Sequence, residues 1–128
     1  MSSEKFQELV KDFGRAVRRL EEVMRQRRNE FIRDSAIQRF EFTYELAWKA
    51  LKAGLQTKGI QEYAPRDVFR SAFQAGLIDE NPRWLKMVDT RNETTHIYKE
   101  AMAESVYRKL KGYLPLFRSL LTRLKKEI

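Results

Sequence analysis

At 128 residues the chain suits one domain, and 42% hydrophobic against 34% charged residues supports a packed core rather than wholesale disorder. The absence of cysteine excludes disulfides, thiolate metal sites and thiol catalysis; a lone histidine excludes any two-histidine site within one chain; five Gly and three Pro argue against a turn-rich all-β fold. The net charge of +8 is uneven, with +3 over residues 1–40, zero over 41–98 and +5 over 99–128, a field that favours polyanions, nucleic acid first, then an acidic protein or an anionic membrane.

The hydrophobic period is helical almost throughout. Phe6, Leu9, Val10, Phe13, Val17, Leu20 and Met24 recur at three- and four-residue steps, which predicts a first helix capped by Ser2 or Ser3 and running to about Arg27. RRNEF reads as a polar connection. Asp34 then caps a second helix whose stripe is Ile37, Phe40, Tyr44, Ala47, Trp48, Leu51 and Leu55, with Gly59 as its left-handed stop. Phe42 and Ala50 fall off that stripe, so this helix is apolar over more than one face and is expected to be buried on two sides or at a subunit contact.

Pro65 suits the first position of a short third helix, with Val68, Phe69, Ala72 and Phe73 on its buried side and Gly76 at its end. Asn81-Pro82 restarts a helix that turns Trp84, Leu85, Met87 and Val88 inward. The stretch RNETTHIY, residues 91–98, breaks the apolar pattern, and its two adjacent threonines weaken a helix, so a loop or distorted turn is predicted there. The last helix carries Ala103, Val106, Tyr107, Leu110, Leu114, Phe117, Leu120, Leu121, Leu124 and Ile128, with a kink or break expected at Pro115, eased by Gly112. Three long and two short helices imply an all-α, antiparallel four-helix-type up-and-down bundle with an additional short helix, a single domain over residues 1–128. No apolar run is long enough to span a bilayer, and the first twenty residues hold no signal-like apolar core; the expected location is cytoplasmic, with no membrane partner.

No phosphate-binding glycine loop, paired-histidine metal spacing or nucleophile elbow is present. What remains is RNETTHIY. His96 can move a proton near neutral pH, and Arg91, five residues earlier, can hold a phosphate and offset the charge that builds on it. Tyr98 adds a phenol. The set suits RNA cleavage through the ribose 2′-hydroxyl, with neither metal nor other cofactor expected. One chain supplies one histidine, so separate acid and base roles need two protomers, and a symmetric dimer brings two copies of the motif together. The plain alternative is a surface histidine in a polar turn, with Asn92, Thr94 and Thr95 satisfying backbone groups.

RNETTHIY resembles the Arg-x4-His-x-Tyr motif of HEPN-domain proteins of the HepT toxin type. RDSAIQRFEFTYELAWKALK, APRDVFRSAFQAGLI and WLKMVDTRNETTHIY are similar to a family once described as the substrate-binding partner of a minimal nucleotidyltransferase, and the likeness covers roughly residues 5–125. The resemblance implies a homodimeric helical bundle and a metal-independent endoribonuclease, with Arg91 and His96 in a cleft at the dimer interface and Asn92 as the polar residue beside the arginine. It further implies a nucleotidyltransferase antitoxin that transfers AMP to Tyr98 and so keeps RNA from the site by bulk and like charge.

Two other readings accompany it. One is a non-catalytic subunit presenting a nucleotide or substrate to the nucleotidyltransferase, for which Phe42 and Tyr63 are candidate exposed aromatics. The other is a basic helical adaptor in which Phe42, Trp48 and Trp84 are core or interface residues.

Overall fold

The computed structural model describes residues 3–128, and Ser2, one of the two candidate caps, lies outside the described residues. Five α-helices follow one another: α1 (Glu4–Met24), α2 (Glu30–Thr57), α3 (Pro65–Gln74), α4 (Arg83–Glu93) and α5 (Glu100–Lys125). A 3₁₀ turn, Thr94–His96, joins α4 to α5, and no strand occurs among the described residues.

Ser3 caps α1, its side chain accepting from the Phe6 N–H at 3.0 Å. Helix α2 begins four residues before the predicted Asp34. Asn29 is its cap, accepting from the Ile32 N–H at 2.9 Å, so most of RRNEF is cap or helix rather than connection. The apolar stripe could not announce this early start, because Phe31 in that first turn points to solvent with 83% exposure. Asp34 instead pairs with Arg33. Gly59 (φ +80°) and Gly76 (φ +77°) end α2 and α3 as predicted. In both, the next residue donates back across the last turn, Ile60 to the Leu55 carbonyl and Leu77 to the Ala72 carbonyl, each at 2.9 Å, and a left-handed residue is required between.

Contacts along the helices set their directions. Arg39 Nη1 donates to the Arg19 carbonyl, Thr43 Oγ1 to the Ala16 carbonyl, and Gly54 faces Phe6, so α1 and α2 are antiparallel. Arg118 Nε donates to Glu21 Oε2 and Gly14 faces Leu121, so α1 and α5 are antiparallel too. Helices α2 and α5 run the same way, with Arg33 beside Glu100 and Glu104, and Phe40 beside Tyr113 and Phe117. Helix α4 opposes α5, with Thr90 on Tyr113 and Glu93 on Lys109. The plan is therefore up-down-up-down, and α4, entered through α3, supplies the third limb.

One aromatic cluster ties all five helices. Phe13 meets Phe117 edge-on, Phe117 meets Phe40 and Trp84, Trp84 stacks on Phe69 at 5.1 Å, and Phe69 leans on Tyr44. Such pairs contribute about 0.5–1.5 kcal/mol each beyond area burial. Trp84 is thus a core residue.

Three further expectations need correction. Helix α1 stops at Met24 rather than Arg27. Phe73 is 46% exposed, leaving Val68, Phe69 and Ala72 as the buried side of α3. Helix α5 runs unbroken through Pro115. Pro115 lies on its exposed side, where the carbonyl one turn earlier, on exposed Lys111, can be hydrated in place of the lost bond.

Candidate functional site

The motif begins inside α4. Arg91, Asn92 and Glu93 form its last turn, so the predicted loop is confined to the 3₁₀ turn and the two residues after it. The threonines close the helix rather than interrupt it. Thr94 Oγ1 donates to the Arg91 carbonyl at 2.7 Å and Thr95 Oγ1 to the Asn92 carbonyl at 2.9 Å, adding to the Thr94 N–H that both carbonyls also accept. The expectation that these hydroxyls serve backbone groups holds for both.

Arg91 is held from three sides. Nη1 donates to Thr94 Oγ1 at 2.7 Å, Nη2 lies 3.6 Å from Glu41 Oε2, and Nε lies 3.7 Å from Glu45 Oε1. Both glutamates are on α2, one turn apart, and Glu45 also accepts from Trp48 Nε1 at 3.2 Å. The ion pairs are longer than hydrogen bonds, and buried Nε has no hydrogen-bond partner. The side chain is 27% exposed, so the guanidinium is reachable at the edge of the bundle.

His96 ends the 3₁₀ turn and is exposed. Its Nδ1 lies 3.5 Å from the Tyr98 hydroxyl, with the rings edge-on at 6.0 Å; the imidazole tautomer decides which group donates. Tyr98 is 75% exposed, and Lys99 Nζ sits over its ring. Asn92 is exposed. The structure thus brings His96 and Tyr98 together and ties Arg91 to α2, and no hydrogen bond or ion pair joins Arg91 to His96 within the chain.

Just beyond Tyr98, Glu100 begins α5 and is gripped by Arg33. That guanidinium, 5% exposed, hydrogen-bonds Glu100 through Nη1 and Nη2, Glu104 at 3.1 Å and Asp34 at 3.0 Å. The Glu100 hydrogen bond raises the Arg33 pKa, burial opposing it, and the same bond holds the Glu100 carboxyl below the usual range. Arg28 pairs with Glu104 and covers the Tyr107 ring. This ionic knot fixes where the motif turn re-enters the bundle. Near Arg91, burial pushes the Tyr44 hydroxyl up to about 12, with Glu45 adding to the rise and Arg91 opposing it.

Sequence reasoning missed Glu41, Glu45 and Arg33. The four-residue step between the two glutamates puts them on one helix face, a visible signal, but nothing in the sequence says that Arg91 lies opposite. Among the described residues no group of three His, Cys, Asp or Glu comes together as a metal cradle, and no helix is long and apolar enough to cross a membrane.

The helical fold is one shared by known proteins. The sequence matches the family described as "nucleotidyltransferase substrate binding protein like" over residues 8–126, and the chain belongs to that family. It is 39% identical over 84 residues to a Haemophilus influenzae protein named "Probable ribonuclease HepT"; the match covers 62% of this chain and 58% of that protein, less than two thirds of the relative's length. A solved structure from Thermus thermophilus superposes with a TM-score of 0.81 at 40% identity, covering 88% of this chain and 98% of that one. A Haemophilus influenzae structure, described as revealing the fold of a substrate binding domain of a nucleotidyltransferase, superposes with a TM-score of 0.82 at 29% identity, covering 91% and 98%.

Proposed function

We propose that this chain is the HepT-like toxin of a toxin–antitoxin pair: a metal-independent endoribonuclease, active as a homodimer, silenced when a cognate nucleotidyltransferase adds AMP to Tyr98. Two protomers provide two imidazoles. One His96 takes the ribose 2′-hydroxyl proton as the 2′-oxygen attacks the adjacent phosphorus; the other protonates the departing 5′-oxygen, leaving a cyclic phosphate. Arg91 offsets charge on the phosphorane. In silencing, the Tyr98 oxygen attacks the α-phosphorus of a nucleoside triphosphate and pyrophosphate leaves. The single domain over residues 1–128 and the cytoplasmic location expected from the sequence belong to this same reading.

The observation that carries the reading is the exposed Tyr98 hydroxyl 3.5 Å from His96 Nδ1. A phosphodiester built on that oxygen falls on the imidazole, so one modification removes both access and proton transfer. RNA cleavage by the purified dimer in EDTA, compared with His96→Ala, tests the catalytic half; equal cleavage by the two proteins removes His96 from the mechanism. Mass spectrometry of the Tyr98 peptide after co-expression with the partner tests the silencing half, and the expected result is a mass gain of one or more AMP units.

A second reading is a non-catalytic subunit that presents a nucleotide or substrate to the nucleotidyltransferase. It is favoured by the pairing of Arg91 with Glu41 and Glu45, which occupies the cation that a scissile phosphate would need. Co-purification with the partner and no cleavage of any RNA supports it.

A further inference from the structure

Helices α4 and α5 do not close against each other along their outer flank. A groove of about 480 Å³ runs between them, floored by the buried Thr90–Tyr113 hydrogen bond at 2.7 Å. Its walls carry four cations, Arg83 and Lys86 from α4 and Arg108 and Lys109 from α5, against two carboxylates, Asp89 and Glu93. Both carboxylates are already engaged, Asp89 by Arg66 from α3 and Glu93 by Lys109 at 3.3 Å. Among the described residues Arg83, Lys86 and Arg108 have no carboxylate partner; Arg83 only reaches the Gly112 carbonyl at 3.5 Å. The groove starts at Arg83 and ends at Glu93, a residue of the motif itself.

Gly112 supplies an independent observation. It lies within α5, where a glycine weakens a helix, yet a Cβ built there meets nothing within 4 Å. Packing does not demand a glycine at this position. What the missing side chain does is leave the groove open beside the unpaired cations.

We infer that this groove is a track for the phosphodiester backbone of single-stranded RNA leading to the motif, with Arg83, Lys86 and Arg108 as its phosphate contacts. The inference rests on the ribonuclease reading and adds to it a binding surface distinct from Arg91, which turns toward α2. Exposed, unpaired cations lining a groove suit a flexible polyanion, because each phosphate contact releases condensed counterions and nothing in the groove discriminates bases.

The test uses the full chain and a fluorescein-labelled single-stranded RNA, with binding followed by anisotropy across a salt titration. Combining Arg83→Ala, Lys86→Ala and Arg108→Ala is expected to weaken binding about tenfold and to make the slope of log affinity against log salt shallower by about 2, at roughly 0.7 per single-strand contact. Gly112→Glu keeps all four cations and is expected to weaken binding by filling the groove with bulk and like charge, while Gly112→Ala leaves it near wild type. Unchanged affinity and slope in both the triple variant and Gly112→Glu overturns the track while leaving Arg91 and His96 as the ribonuclease site. No RNA binding by the wild type overturns track and ribonuclease reading together. Retained RNA affinity with lost co-purification of the nucleotidyltransferase reassigns the groove to an acidic protein face and also overturns the track.

Discussion

Arg33 and Arg91 each face two glutamates from a neighbouring helix, yet they are held in opposite ways. Arg33 is buried at 5% exposure, with hydrogen bonds to Glu100, Glu104 and Asp34. Arg91 is 27% exposed, its carboxylates stand off at 3.6 and 3.7 Å, and buried Nε has no hydrogen-bond partner. A guanidinium with each nitrogen hydrogen-bonded to a carboxylate is a structural tie, since any ligand must first break charge-assisted bonds. A guanidinium whose carboxylates stand beyond hydrogen-bond distance has fewer such bonds to give up. Charge and residue type do not separate the two arginines; the completeness of their hydrogen bonding does.

The sharpest way to break this comparison is at the motif. In an RNA-cleavage assay, His96→Ala is expected to lower the rate about a hundredfold to ten-thousandfold. Arg91→Lys is expected to fail to restore the loss caused by Arg91→Ala, since a point charge replaces a planar fork. Full activity in Arg91→Lys would put Arg91 in the same class as a general surface cation.

Next in size is the tie. Arg33→Met is expected to lower the thermal midpoint by about 5–10 °C, less than a fully buried pair would, because Glu100 is 73% exposed and can be hydrated once its partner is gone. Calorimetry measures it, and a midpoint equal to wild type would remove Arg33 from the structural side of the comparison. Glu41→Gln together with Glu45→Gln sharpens the other side. With its carboxylates neutralised, Arg91 is expected to bind a phosphodiester about threefold to tenfold more tightly, read as a fall in RNA Kd. Weaker binding would mean that the glutamates orient the guanidinium rather than compete for it.

The smallest effects are in pH. The depressed Glu100 carboxyl contributes stability that is present above the ordinary value of 4.5 and lost as pH falls through its lowered folded value, so Glu100→Gln is expected to flatten the acid limb of a melting profile. Tyr44, near Arg91, has the opposite sign. Its folded pKa of about 12 against an ordinary 10.0 favours the protonated phenol; its contribution is complete below 10 and disappears as pH rises through 12. Ultraviolet titration is expected to show a late phenol signal that Tyr44→Phe removes.

The helices were legible where apolar spacing and local stop signals coincide. Phe6 to Leu20 marks α1, Pro65 opens α3, and Gly59 and Gly76 end α2 and α3, because three- to four-residue periodicity and positive-φ glycines are local properties. The start of α2 was not legible, since Asn29 and Asp34 are equally good caps by type and exposed Phe31 gives the stripe no anchor. Continuity through Pro115 was hidden for a related reason: whether a lost hydrogen bond breaks a helix depends on whether the freed carbonyl meets water. At the site, the chain order of Arg91, His96 and Tyr98 was readable, and the short His96–Tyr98 step brings those two rings together.

The amino-acid sequence alone therefore determined an all-helical chain, several of its element ends and the polar side chains gathered in RNETTHIY, all set by neighbours within a few residues of one another. Only the tertiary structure decided that Glu41 and Glu45 stand against Arg91, that Arg33 fastens the far side of the turn, and that a groove lined with unpaired cations opens between α4 and α5. Each of these joins residues on different helices, and which side chains meet there follows from the directions in which α2, α4 and α5 pack, which no local pattern encodes.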